Sequence, residues 1–250
     1  MKDIHTPQIG FHYWIAISMA SIFGTNLGDL YAHESGLGIA RGLLLLSMLF
    51  AATMLFERSD KKIHTAYYWI GIIIIRTGAT NIADFMAGHR GLGIDRLLLT
   101  AVFAVLLAAV AWLTRPSTAA PQVGSVSVAT AKPPAANTVY WLGMLVAGIL
   151  GTVFGDYCSH SLGGDAATLL LSLVVLLFLY VGRTGLLATA WYYWLAIAVV
   201  RTAGTAMGDW IEKNKYVDVG LPLSTLLTGV VFLLALMAYR NMRAQSVRVA

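Results

Sequence analysis

One segment of seventeen residues occurs four times in this chain without a gap. It reads YWIAISMASIFGTNLGD from Tyr13, YWIGIIIIRTGATNIAD from Tyr68, YWLGMLVAGILGTVFGD from Tyr140 and YWLAIAVVRTAGTAMGD from Tyr193. Each copy opens on Tyr-Trp and closes on Asp. Between them a small residue, a Thr and a second small residue keep fixed offsets: Gly24, Thr25 and Gly28; Ala79, Thr80 and Ala83; Gly151, Thr152 and Gly155; Gly204, Thr205 and Gly208. Self-similarity of this kind requires that the chain be built from copies of one supersecondary unit.

Every copy lies in an apolar stretch of about 20 residues and is followed by a second one. That is the helix length needed to cross a hydrocarbon core roughly 30 Å thick. Eight such stretches are read, near 13–31, 37–56, 66–86, 92–114, 139–157, 165–182, 190–211 and 219–239. The chain is 58% hydrophobic and 12% charged, with a mean hydropathy of +0.73. Soluble domains carry roughly 25% charged residues, and no water-soluble fold could hide this much apolar surface. The expected fold is all-α: a polytopic membrane protein of about eight transmembrane helices, arranged as four parallel helical hairpins with pseudo-twofold or pseudo-fourfold repeat symmetry.

Copies two and four share Arg76-Thr77 and Arg201-Thr202, where copies one and three have Ser21 and Gly148 in place of the Arg. The four hairpins therefore form two pairs. A Pro-, Ala-, Ser- and Val-rich segment separates them and reads as a flexible linker. The halves are 1–115 and 138–250, joined by a cytoplasmic linker at 116–137. An even number of spans in each half makes this a parallel repeat about an axis along the membrane normal.

Orientation follows from the cations. Lys2, Arg58, Lys61, Lys62, Arg115, Lys132, Arg183, Arg240, Arg243 and Arg248 fall on the side of the termini, against Arg41, Arg90, Arg96, Lys213 and Lys215 at the hairpin tips. The positive-inside rule then places both termini in the cytoplasm. The same distribution explains the pI near 9.4 without a nucleic-acid partner. The mixed-charge start MKDIHTPQIGFHYW lacks an A-x-A-like cleavage site, so the first helix is expected to be retained. A single Cys158 excludes an intramolecular disulfide or a CxxC centre.

Tyr-Trp at the start of each odd helix suggests aromatic anchoring at headgroup level. The small-xxx-small pairs let helix backbones approach closely in lipid. Asp29, Asp84, Asp156 and Asp209 lie sixteen residues after the Tyr, about 24 Å along the span, where an ionisable group is a functional candidate. Thr25, Thr80, Thr152 and Thr205 precede them by four residues on the same helix face, and hydroxyl with carboxylate suits a hard cation or a proton. A structural role for each Asp, tying down its hairpin tip, is the competing reading. Arg76 and Arg201 fall about halfway through their spans, too far from the Asp of the same helix to pair with it. Each is expected to meet another helix, line a water-filled cavity or bind an anionic group. At the tips, His33, His89 and His160 follow an Asp by about one turn and could hold a metal ion or relay protons. No cofactor other than such an ion is expected.

The fourfold pattern, with its GTxxGD and RTxGTxxGD elements, resembles a family of bacterial membrane proteins made of four tandem two-helix repeats of unknown function. Nearly the whole chain outside the linker and termini shares the pattern; Ala83 replaces the usual Gly before Asp, a small-for-small change. The resemblance implies a multi-pass protein of the bacterial cytoplasmic membrane and brings no substrate or catalytic residues with it.

Internal repeats and repeated charges at depth, with no large soluble domain, point to a transporter or channel for a cation or a proton-coupled solute. Its partners would be the lipid bilayer and a small ion or small molecule; a homo-oligomer is compatible with the pattern. The alternative is a non-catalytic membrane-embedded sensor, lipid binder or assembly partner. An enzyme is not expected, since paired haem-ligand His residues within the spans, a Ser/His/Asp set and an HExxH helix are all missing.

Overall fold

The computed structural model describes residues 7, 9–60, 64–88, 91–115, 134–183, 189–214 and 219–249. Residues 116–133 of the expected linker, and His89, lie outside them. The described residues form eight helices: α1 Phe11–Glu34, α2 Gly38–Ser59, α3 Ala66–Ala87, α4 Arg96–Leu113, α5 Thr138–Leu162, α6 Gly164–Arg183, α7 Ala190–Lys213 and α8 Gly220–Val249. No strand occurs among the described residues.

Local chemistry sets several of the helix ends. Asp95, Asn137 and Thr189 cap α4, α5 and α7 by accepting from the main-chain N–H groups of Leu98, Tyr140 and Tyr192, which offsets donors a helix start leaves unpaired. The connections from α1 to α2, from α3 to α4 and from α5 to α6 each carry a glycine at positive φ, Gly36 (66°), Gly93 (61°) and Gly163 (84°), a conformation that side chains with a Cβ rarely adopt.

The odd helices α1, α3, α5 and α7 form a closed ring in which each packs on two others. The even helices stand outside it, and they do not pack chiefly on the odd helix that precedes them. Instead α2 lies on α3, α4 on α5, α6 on α7, and α8 returns to α1. Hairpins are thus the repeat unit along the chain, while contact between successive repeats closes the bundle.

The ring is held by matched sizes. A Cβ added at Gly24 would stand 2.5 Å from Arg76 Cγ, and one added at Gly148 would stand 2.6 Å from Ala79 Cβ. At Gly151 it would collide with Arg201 Cβ and lie 2.7 Å from the Arg201 backbone carbon; at Gly204 it would lie 2.6 Å from Ser21 Cβ. The first small residue of each copy therefore faces the next copy at the position that is Ser21, Arg76, Gly148 or Arg201. Copy two can use Ala79 because its counterpart is Gly148. One turn further on, Gly28 and Gly155 seat Thr80 and Thr205 in the same way.

Leucines, valines and aromatics of the even helices face outward: Leu44, Leu55, Val105, Leu113, Leu169, Leu176, Leu226 and Leu234 are all exposed. An apolar exterior around a core holding arginine, asparagine and threonine suits a hydrocarbon solvent, in which helices satisfy their own backbone. Six helices, all except α1 and α7, are both long enough and apolar enough by composition to cross a membrane. α1 and α7 have the length, at 24 residues each, but carry polar groups such as Asn26, Arg201 and Thr205 that face the core. The protein is a polytopic helical membrane protein.

Close packing at the ring makes Gly151→Ala costly. It is expected to destabilise the fold by about 1–3 kcal/mol in thermal unfolding of detergent-purified protein, whereas Gly164→Ala, with nothing within 4 Å of the added Cβ, leaves the midpoint in place. Equal midpoints would show that α5 and α7 do not approach as described.

Candidate functional site

Because the ring has one copy of the repeat per helix, residues at the same offset meet in layers along its axis. The first layer is made of Tyr13, Tyr68, Tyr140 and Tyr193, all buried. Their hydroxyls close a cycle: Tyr13 to Tyr68 at 3.0 Å, Tyr68 to Tyr140 at 2.7 Å, Tyr140 to Tyr193 at 2.8 Å and Tyr193 to Tyr13 at 2.9 Å. Each hydroxyl can donate once and accept once, so the cycle satisfies itself without outside partners. Around it the tryptophans form a collar. Tyr13 packs on Trp69, Tyr68 on Trp141, Tyr140 on Trp194 and Tyr193 on Trp14, with ring centroids 5.6–6.0 Å apart. The Tyr-Trp pairs are therefore core residues that close one end of the bundle. Anchoring at headgroup level does not describe them, since all eight rings are buried and the tyrosine hydroxyls turn inward to one another, while Trp194 Nε1 donates to Thr114 Oγ1 at 2.8 Å.

The second layer centres on Arg76, which is fully buried. Its guanidinium crosses the axis and donates to Thr25 Oγ1 at 2.5 Å, Thr205 Oγ1 at 2.6 Å and Thr152 Oγ1 at 2.8 Å. It also reaches the carbonyl oxygens of Gly148, Ser21 and Arg201 at 3.1, 3.4 and 3.4 Å. One side chain of copy two thus binds the repeated Thr of the other three copies. Its own Thr80 donates to the Arg76 carbonyl instead, at 3.3 Å.

Arg201 occupies the same repeat position and is equally buried, but its surroundings differ. Its Nη2 has Met144 Sδ at 4.0 Å, while Nε and Nη1 have no hydrogen-bond partner among the described residues. The four tyrosines are its electrostatic neighbours.

The third layer, at the opposite end from the tyrosines, holds the carboxylates. Asp29, Asp84, Asp156 and Asp209 are all half-buried, and Asp209 is an electrostatic neighbour of each of the other three. Carboxylate oxygens of Asp29, Asp209 and Glu212 lie within 4.8 Å of one another, the one group of three acidic, His or Cys side chains so placed among the described residues. Lys213 Nζ sits 3.1 Å from Asp209 and 4.0 Å from Glu212. Oxygen donors of this kind suit a hard cation, and Lys213 already offsets part of their charge.

His33 and His160 are exposed, and each donates through Nδ1 to the carbonyl of the Asp four residues before it, at 2.8 and 3.0 Å. Both satisfy helix-end carbonyls, and neither joins the carboxylate group. Among the candidates read from the sequence, the four Asp converge at one end. Thr25, Thr152 and Thr205 converge with Arg76 in a layer of their own. Glu212 and Lys213, which break the His pattern in the fourth copy, enter the carboxylate group; the inward Tyr cycle carries the signal of four Tyr at one offset, which sequence alone did not separate from anchoring.

Removing one hydroxyl from the cycle leaves its neighbours short of a partner. Tyr140→Phe is expected to cost about 1–3 kcal/mol in thermal unfolding, and replacing all four tyrosines by Phe to cost less than the sum of the four single changes, since no buried hydroxyl is then left unmatched. Additive losses would contradict a closed cycle.

Residues 12–59 and 192–244, which span α1 with α2 and α7 with α8, match the family described as Repeat of Unknown Function (DUF347). No curated protein and no solved structure is detectably similar to the chain. The first and fourth hairpins are thus similar to that repeat family, and the chain is a helical membrane protein with four copies of one sequence repeat.

Proposed function

We propose that the protein is a membrane transporter or channel whose pathway follows the axis of the four odd helices, and that it handles a cation or a proton-coupled solute. The observation that carries this reading is the layering itself: four copies of one unit bring tyrosine, arginine with threonine, and aspartate to a common axis, inside an exterior that is apolar. Intramembrane ionisable groups of this kind mark ion and substrate pathways.

On this reading Asp29, Asp84, Asp156 and Asp209 take the ion or proton at one mouth, with Glu212 and Lys213 trimming the local charge. Arg76 and Arg201 form the positive barrier or counter-charge at mid-depth, and the tyrosine cycle is the closed gate at the far end. The bias of Lys and Arg toward the side of the termini supports a cytoplasmic position for that gate, in what we take to be a bacterial inner membrane. A non-transporting sensor or assembly partner is favoured by a different observation, the filling of the axis by Arg76 with six acceptors around it.

Proteoliposome flux separates the two. With dyes for internal pH and divalent metal, wild type is expected to show flux that Asp84→Asn/Asp209→Asn abolishes at unchanged thermal midpoint. Normal flux from that variant would remove the carboxylates from the pathway. Absence of flux from folded wild type would favour the non-transporting reading.

A further inference from the structure

Two guanidinium groups stand in the core of one intramembrane bundle, and no carboxylate is within ion-pair distance of either among the described residues. The Asp of each helix is eight residues away, about 12 Å along the axis. Arg76 spends its donors on neutral oxygens: three hydroxyls and three carbonyls. Arg201 has no comparable set, and its Nε and Nη1 are buried without an acceptor.

Buried donors left unmatched are destabilising, and an uncompensated charge in a low-dielectric core is more so. Water could satisfy the hydrogen bonds. It could not offset two positive charges that face each other from opposite helices of the ring, α3 and α7, and act on one another electrostatically. A negative charge would do both.

We propose that Arg201 is the principal ligand of a buried site for a small monovalent anion of halide size, in the core between the tyrosine cycle and the Arg76 layer. The anion accepts from Nε and Nη1 of Arg201 and is drawn in by the combined charge of Arg201 and Arg76. Near-backbone contact of α5 with α7 at Gly151 holds the two helices close beside the site and favours a small ion. The site stands independently of transport: an anion could be cargo, or a fixed structural counter-ion.

The test uses detergent-purified full-length protein titrated with sodium bromide against sodium gluconate at constant ionic strength. Wild type is expected to show a saturable, bromide-specific rise in thermal midpoint, as is Arg58→Gln, which removes an exposed cation. In Arg201→Gln the apparent bromide affinity should fall on the order of tenfold or more. No bromide response in wild type, or an equal one in Arg201→Gln, overturns the site. Should Arg201→Gln fail to fold, anomalous diffraction from bromide-soaked wild-type crystals decides: a peak within hydrogen-bonding distance of Arg201 Nε or Nη1 is expected, and its absence there overturns the proposal.

Discussion

Burying the guanidinium of Arg76 in a membrane bundle is the constraint on which the rest of the arrangement depends. A cation in that position must be surrounded by oxygen, and the donors of Arg76 find it on three other helices at once. That requirement ties α1, α5 and α7 to α3 and holds the repeated threonines at one level. The small residues at 24, 28, 151 and 155 are the geometric condition for it, since they let the helices come close enough for one side chain to span the axis. Tyrosine and tryptophan above this level, and carboxylates below it, then follow from the register of the repeat.

Symmetry in this chain is layered. The backbone ring and the tyrosine cycle have fourfold character, because all four copies supply the same group. Size matching across the ring reduces this to two, with arginine in copies two and four seated against glycine in copies one and three. Bonding lowers it once more, since Arg76 is fully engaged while Arg201 is not. Four copies of one segment supply the scaffold, and at one offset Arg201 lacks the acceptors that surround Arg76.

Much of the fold was legible in the amino-acid order. The apolar stretches located all eight helices to within a few residues at most of their ends, and the fixed offsets of the small residues indicated close packing. Partnering of the helices was not legible. A hairpin in sequence suggests two helices that pack on each other, yet α2 packs chiefly on α3 and α8 on α1, because the apolar stripe of an even helix does not say which odd helix it covers. Tyr-Trp was misjudged for a related reason: an amphipathic aromatic suits both a headgroup and a hydrogen-bonded core, and periodicity cannot tell four rings facing lipid from four rings facing one another. For the candidate site, the sequence separated the arginines from the aspartates of their own helices correctly, because spacing fixes distance along a helix. It could not reveal that three threonines would face an arginine from another copy, since that depends on rotation of each helix about its axis.

The interaction between Arg76 and the threonines of other repeats is tested most directly by a double-mutant cycle. Unfolding free energies would be compared for wild type, Arg76→Met, Thr205→Val and the double variant in one detergent. A charge-assisted hydrogen bond across the axis predicts a coupling energy on the order of 1–3 kcal/mol, with the double variant less destabilised than the sum of the single ones. Strict additivity would mean that Arg76 does not reach the fourth copy, and that the four repeats do not share one core.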